Sequence, residues 1–131
     1  FDPATRDFIE KRITEIARFQ AESYGMTATV DYERSYDATV NHTAETDFLR
    51  TQAVRFAGAE NVVELEHPLM GSEDFTYMLQ ACPGSYFFLG TSSSSNTNTL
   101  HHPGYDFNDD ILPIGARFWT YLTEAFLAPA Q

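Results

Sequence analysis

The chain has 131 residues, enough for one ordinary domain or for parts of a larger one. Apolar residues make up 43% and aromatics 15%, so disorder is excluded as the starting expectation, and a net charge of -11 excludes general attraction to nucleic acid or anionic lipid. Small molecules, cations and other protein surfaces are the partners left. No apolar run is long enough to span a membrane, and the N-terminus lacks a basic region followed by an apolar one. The single cysteine, Cys82, cannot close an internal bridge, which fits a reducing, cytoplasmic setting; beside Pro83 it is expected to be a buried structural thiol. Phe1 is not an ordinary initiator, which points to a trimmed or processed chain.

Asp2 and Pro3 supply a cap and a first-turn proline, and Ile9, Ile13, Ile16 and Gln20 or Ala21 recur at helical spacing up to Gly25. A long amphipathic helix is expected there. Met26 to Glu33 then alternates, with Met26, Ala28, Val30 and Tyr32 on one face and Thr27, Thr29, Asp31 and Glu33 on the other, the pattern of a strand with one buried face. Helix and strand together look like the closing half of a split βαβ unit, as in ferredoxin-like folds.

Arg34 to Val40 reads as a linker. A second helix is expected after Asn41 and His42, capped by Thr43, with Leu49, Ala53 and Phe56 inward and Gly58 as its stop. Asn61 to Leu65 reads as a short strand, and a short helix from Ser72 to about Gln80 stops at Pro83 and Gly84. Tyr86, Phe87, Phe88 and Leu89 are consecutive and apolar, as in a strand covered on both faces of an α/β sheet. Ser92 to Thr99 is polar and low in complexity, the signature of a surface loop. The last helix begins near Asp110, carries Leu112, Ala116, Trp119, Leu122 and Phe126 as its stripe, and ends at Ala128 and Pro129.

Two stretches could carry chemistry. Met70-Gly71-Ser72-Glu73-Asp74-Phe75 is a loop-to-helix corner where Gly71 allows close backbone approach and Ser72 can cap. Glu73 and Asp74 are adjacent, so on a helix they point about 100° apart and cannot readily address one substrate atom. Ser72 lacks a nucleophile-elbow context. In Leu100-His101-His102-Pro103-Gly104-Tyr105-Asp106-Phe107-Asn108-Asp109-Asp110, a neutral imidazole is the commonest protein ligand for zinc, although a lone His is more often an ordinary residue. Asp106, Asn108, Asp109 and Asp110 lack the order of a calcium loop, and capping explains them. His42 and His67 read as surface residues beside turns.

Taken together and in this order, the two stretches, with Pro83-Gly84 and Ser85-Tyr86-Phe87-Phe88-Leu89-Gly90 between them, resemble the C-terminal part of the zinc-dependent amidohydrolases grouped with aminoacylase, hippurate hydrolase and the plant auxin-conjugate hydrolases. The resemblance covers about Asn41 to the last helix. It implies a two-domain α/β metallohydrolase, with residues 1–39 the terminal helix and strand of a ferredoxin-like lid and residues 40–131 the C-terminal part of the catalytic α/β domain. It implies hydrolysis of N-acyl amino acids, peptides or similar amides by a metal-activated water.

By the same resemblance His101 is a metal ligand, His102 the weaker candidate, and Gly71 and Ser72 line the substrate pocket; Asn41, at the start of the second helix, is a candidate substrate contact or else a turn or cap residue. The ion would be zinc, or manganese or cobalt in its place, and the lid would also form a homodimer surface. The family's Cys-Gly-His-Asp segment and Glu-Glu pair, which bring the other ligands and the general base, do not occur in these residues. No catalytic residue is therefore assigned within the chain. On its own it is expected to be inactive and to hold no metal tightly. Two alternatives stay open: a non-catalytic binding or interaction domain that keeps the scaffold, and a different hydrolase using carboxylates of the Asp-rich loop.

Overall fold

A computed structural model describes residues 2–91 and 98–128. Its helices are α1 (Pro3–Glu22), α2 (Thr43–Ala57), α3 (Phe75–Ala81) and α4 (Ile111–Leu127), with a 3-10 turn at Ala59–Asn61. Among the described residues there is no strand, so the α/β expectation is met only in its helical part. The three segments expected as strands run without ladder partners. A strand exists only where a neighbour takes its backbone N–H and C=O groups, and an alternating or apolar sequence cannot supply that neighbour. The alternation itself survives from Ala28 onward: Ala28, Val30 and Tyr32 are half-buried while Thr27, Thr29, Asp31 and Glu33 are exposed, but Met26, expected on the covered face, is exposed. No helix among the described residues is long and apolar enough to cross a membrane.

The chain divides into two compact units, one of Phe1–Val40 with Leu69–Cys82, the other of Asn41–Pro68 with Pro83–Gln131. In the first unit α1 starts where Asp2 Oδ2 accepts from the Thr5 N–H at 2.8 Å and the Thr5 hydroxyl at 2.7 Å. These bonds, the hydroxyl's first, hold the Asp2 carboxyl below its ordinary range. α1 ends in a Schellman turn: Gly25, at φ +67°, donates to Glu22 O, and Met26 donates to Ala21 O.

The covered face of α1 is not the expected one. Arg6, Glu10, Thr14, Ala17 and Ala21 are partly shielded, whereas Ile9, Ile13 and Ile16 stand exposed. The reason is charge. The Arg6 guanidinium bonds Asp37 at 3.0 Å and the Tyr36 carbonyl at 2.6 Å, and Arg34 pairs with Asp7 at 2.6 Å and with Glu10, which raises the Arg34 pKa through Glu10 first. Segment 34–37 therefore lies along the polar side of the helix. α3 is tied to the same segment: Thr76, 1% exposed, donates its hydroxyl to Ala38 O at 3.0 Å, and Tyr77 meets Tyr36 edge-on with ring centres 5.8 Å apart. Leu79 is buried beside them in sequence, one turn on from Thr76.

In the second unit α2 packs against α4. Phe118, 7% exposed, is the centre, with the rings of Phe56 and Phe87 at 5.2 and 5.6 Å; Tyr121 also meets Phe56, at 5.6 Å. The Tyr121 hydroxyl donates to the buried Gln52 Oε1 at 3.2 Å. The inward side of α4 is Ile111, Gly115, Phe118, Leu122 and Ala125, about one residue round from the expected stripe; Leu112, Trp119 and Phe126 are exposed. Gly115 belongs to that side because a Cβ there would meet Leu89 Cδ2 at 3.4 Å.

α2 ends at Gly58, whose φ of +89° favours glycine, as the sequence suggests. Its start differs from expectation: His42, not Thr43, is the capping residue, and it makes no side-chain cap bond. Segment 84–86 fastens to this start, where His42 N–H donates to Gly84 O at 3.0 Å and the Thr46 and Ser85 hydroxyls lie 3.0 Å apart. Cys82 is exposed rather than buried: α3 stops at Ala81, Cys82 follows as its C-cap in extended backbone, and the thiol donates to Met78 O.

Candidate functional site

The loop from Asn98 to Asp110 is built from two successive turns. The His102 N–H donates to Thr99 O at 3.1 Å, and the Tyr105 N–H donates to His102 O at 2.9 Å. Side chains close the second turn: the Gly104 N–H donates to His102 Nδ1 at 3.0 Å, and Asn98 Nδ2 donates to Gly104 O at 2.8 Å. Gly104 suits this closeness, since a Cβ there would lie 3.1 Å from Asn98 Nδ2, tight enough that the amide would have to shift by a few tenths of an ångström. The loop runs into α4 through Asn108, whose Oδ1 accepts from the Asp110 N–H at 3.1 Å in an Asx turn, while Asp110, the capping residue of α4, makes no side-chain cap bond.

His101 sits in the first of these turns at φ +69°, the only non-glycine with positive φ among the described residues. It is exposed, and its imidazole has no hydrogen-bond or ion-pair partner among them. A ring held this way keeps both nitrogens free for a ligand. As a single donor it fits a divalent cation, which takes a neutral imidazole nitrogen. The rest of a donor set is not here: among the described residues no three His, Cys, Asp or Glu side chains gather where they could hold a metal ion. His102, in contrast, commits Nδ1 to the loop.

Asn41 is engaged with the backbone. Its Nδ2 donates to Tyr86 O at 2.9 Å and its Oδ1 accepts from the Tyr86 N–H at 2.7 Å, so the amide does for Tyr86 what a neighbouring strand residue would do. It belongs to the same unit as His101, while Gly71 and Ser72 belong to the other. That corner is open: Gly71 and Ser72 are exposed, and a Cβ on Gly71 would meet nothing within 4 Å. α3 begins at Phe75 with Asp74 as its capping residue, so Ser72 does not cap it; Glu73 Oε1 accepts from the Phe75 N–H at 3.1 Å instead. Glu73 thus shapes the entry to the helix, while Asp74 makes no side-chain cap bond, and both precede α3 rather than lying on it.

A recess of about 390 Å³ lined by Phe56, Arg117, Tyr121 and Glu124 holds none of these residues. Arg117 stacks over the Phe56 ring at 5.8 Å along one wall. The part of the expected Ser92–Thr99 loop at residues 92–97 lies outside the described residues, as does Pro129. Sequence reading missed the roles of Asn98, His102 and Gly104; the signal for the last two is the i to i+2 spacing, the spacing of an Asx turn with an imidazole as acceptor.

Comparison with known proteins supplies what geometry alone does not. The family model for peptidase family M20/M25/M40 matches residues 5–125. YhaA of Bacillus subtilis (strain 168), a protein given the name of an amidohydrolase, is 35% identical over 119 residues, covering 89% of this chain and 30% of that protein. The IAA-amino acid hydrolase ILR1-like 4 of Arabidopsis thaliana is 33% identical, covering 95% of this chain and 30% of its own length. The hippurate hydrolase of Campylobacter jejuni is 28% identical, covering 96% and 32%. The chain thus spans about 30% of the length of the first curated relatives it matches. No solved structure matches.

Proposed function

We propose, from the premise that this chain belongs to peptidase family M20/M25/M40, that it is the C-terminal part of a metal-dependent amidohydrolase acting on N-acyl amino acids or related small amides. The names of its relatives support the substrate class: they are hydrolases of IAA-amino acids and of hippurate. Within the chain the reading rests on one observation, the exposed His101 imidazole, without a partner among the described residues, on a loop otherwise tied by hydrogen bonds.

His101 would hold one ion, zinc or else manganese or cobalt, together with donors from outside these residues. When bound, the metal supplies Lewis acidity toward the amide carbonyl. This chain's contribution is positional. His101 offers a nitrogen that needs no prior hydrogen bond broken, and the Gly71-Ser72 corner offers exposed backbone to a substrate oxygen. Asn41 acts through the main chain of Tyr86, which it holds at both polar atoms, rather than by direct contact.

Residues 1–39 are read as part of a lid and 40–131 as part of the catalytic domain. The exposed Ile9, Ile13 and Ile16 of α1 support a homodimer surface on the lid. With one donor of the three that a catalytic zinc normally takes, the chain alone is read as inactive.

The test is metal content and hydrolysis of hippurate and other acyl amino acids, measured on this chain and on the whole gene product that contains it. Activity and bound metal in the whole product, absent from this chain and lost with His101→Ala, are expected. A whole product that takes up no metal and hydrolyses none of these amides would overturn the reading in favour of a binding domain on the same scaffold. Activity that survives chelation would favour carboxylate chemistry.

A further inference from the structure

Two adjacent histidines occupy the same loop in opposite states. His101 has a left-handed backbone, unfavourable for a residue with a Cβ, and a ring without partners among the described residues. His102 is held at three points: its N–H by Thr99 O, its carbonyl by the Tyr105 N–H, and its Nδ1 by the Gly104 N–H. Nδ1 is thus the acceptor side of the ring, and Nε2 is left to carry the ring proton. Asn98 holds the same Gly104 from its carbonyl side. A residue with φ +69° stays so only while its neighbours fix the turns on either side, and His102 belongs to both turns.

We infer that His102 is a positioning residue for His101: by accepting the Gly104 N–H it keeps the turn closed and presents the His101 imidazole to its ligand. The inference rests on the reading of His101 as a metal donor and adds the part that orients it. Outer hydrogen bonds that fix a ligating loop normally change metal affinity by about 10-fold to 100-fold.

The imidazole is needed here as an acceptor at one place, so the geometry also says what can replace it. In asparagine the Oδ1 atom is as many bonds from the backbone as Nδ1 is in histidine, and it can take the same i to i+2 hydrogen bond. Alanine and leucine cannot.

The experiment measures zinc affinity by competition with a chromogenic chelator, on the whole gene product and its His101→Ala, His102→Ala, His102→Leu and His102→Asn variants, with the exchange rate of the Gly104 amide followed alongside. Expected are at least a roughly 10-fold loss of zinc affinity for His102→Ala and His102→Leu, faster Gly104 exchange in both, and recovery of both readouts in His102→Asn. Equal affinity in His102→Leu and the unsubstituted protein, or no recovery in His102→Asn, overturns the inference while leaving His101 as a donor. Unchanged affinity in His101→Ala overturns the donor reading, and the inference with it.

Discussion

Helices α1 and α4 are of similar length, yet they are held by different physics. α1 buries no residue; its covered face is held to segment 34–37 by the ion pairs Arg6–Asp37 and Asp7–Arg34. α4 is apolar round most of its circumference and centres on Phe118 between the rings of Phe56 and Phe87. The contrast teaches that hydrophobic periodicity shows which face could be buried, while the chain actually laid against a helix decides which face is. An isoleucine stripe attracts nothing if the neighbouring segment carries arginine and aspartate.

The widest separation between the two helices should come from paired truncations. Phe118→Ala removes a buried ring and is expected to destabilise the second unit by about 3 kcal/mol, whereas Ile13→Ala on α1, where the side chain is already 44% exposed, should cost under about 1 kcal/mol. Denaturant melts of the two variants measure both, and equal losses would erase the contrast. Asn41→Ala should fall between them, at about 1–2 kcal/mol, because it removes both bonds to the Tyr86 main chain. Amide exchange at Tyr86 should rise more than elsewhere in that segment.

A smaller effect should appear with salt. Raising sodium chloride to about 1 M should loosen segment 34–37 from α1, visible as faster amide exchange there, and leave the Phe118 region unchanged. The smallest should come from pH. The Thr5 bonds hold the Asp2 carboxyl below its ordinary range, so its contribution to the α1 cap is fully present above the unfolded carboxylate pKa and is lost as pH falls through the lowered folded value. Asp2→Asn should remove that acid-side decline in α1 helicity, followed by circular dichroism.

Much of this was readable beforehand where one residue decides the geometry. Asp2 with Pro3, Gly25 and Gly58 mark helix ends by backbone chemistry that needs no distant partner. The start of α3 was not readable, because Ser72 has the right side chain for a cap but the helix begins at Phe75. The inward face of α4 was off by one position because nearly every neighbour on the helix is apolar, so the pattern does not single out Phe118 over Trp119. Strands were expected from alternation and apolar runs, and those features describe a surface rather than a hydrogen-bonded neighbour. In the candidate site His101 stood out from its surrounding motif, whereas the closure of its loop depends on an imidazole accepting from a glycine two residues on. Asn41 stands out as polar near a helix start, but nothing in its spacing from Tyr86, 45 residues on, points to the bonds at both ends of its amide.

Aromatic rings can slide over one another at little energetic expense, so a contact made of Phe56, Phe87 and Phe118 alone would tolerate several rotations of α4 about its axis. The hydroxyl of Tyr121 on the shielded amide of Gln52 does not tolerate them, since any other setting would leave that carbonyl oxygen without a donor. One polar pair thus acts as an indexing pin, selecting a single alignment of two helices from the many that their greasy sides would accept.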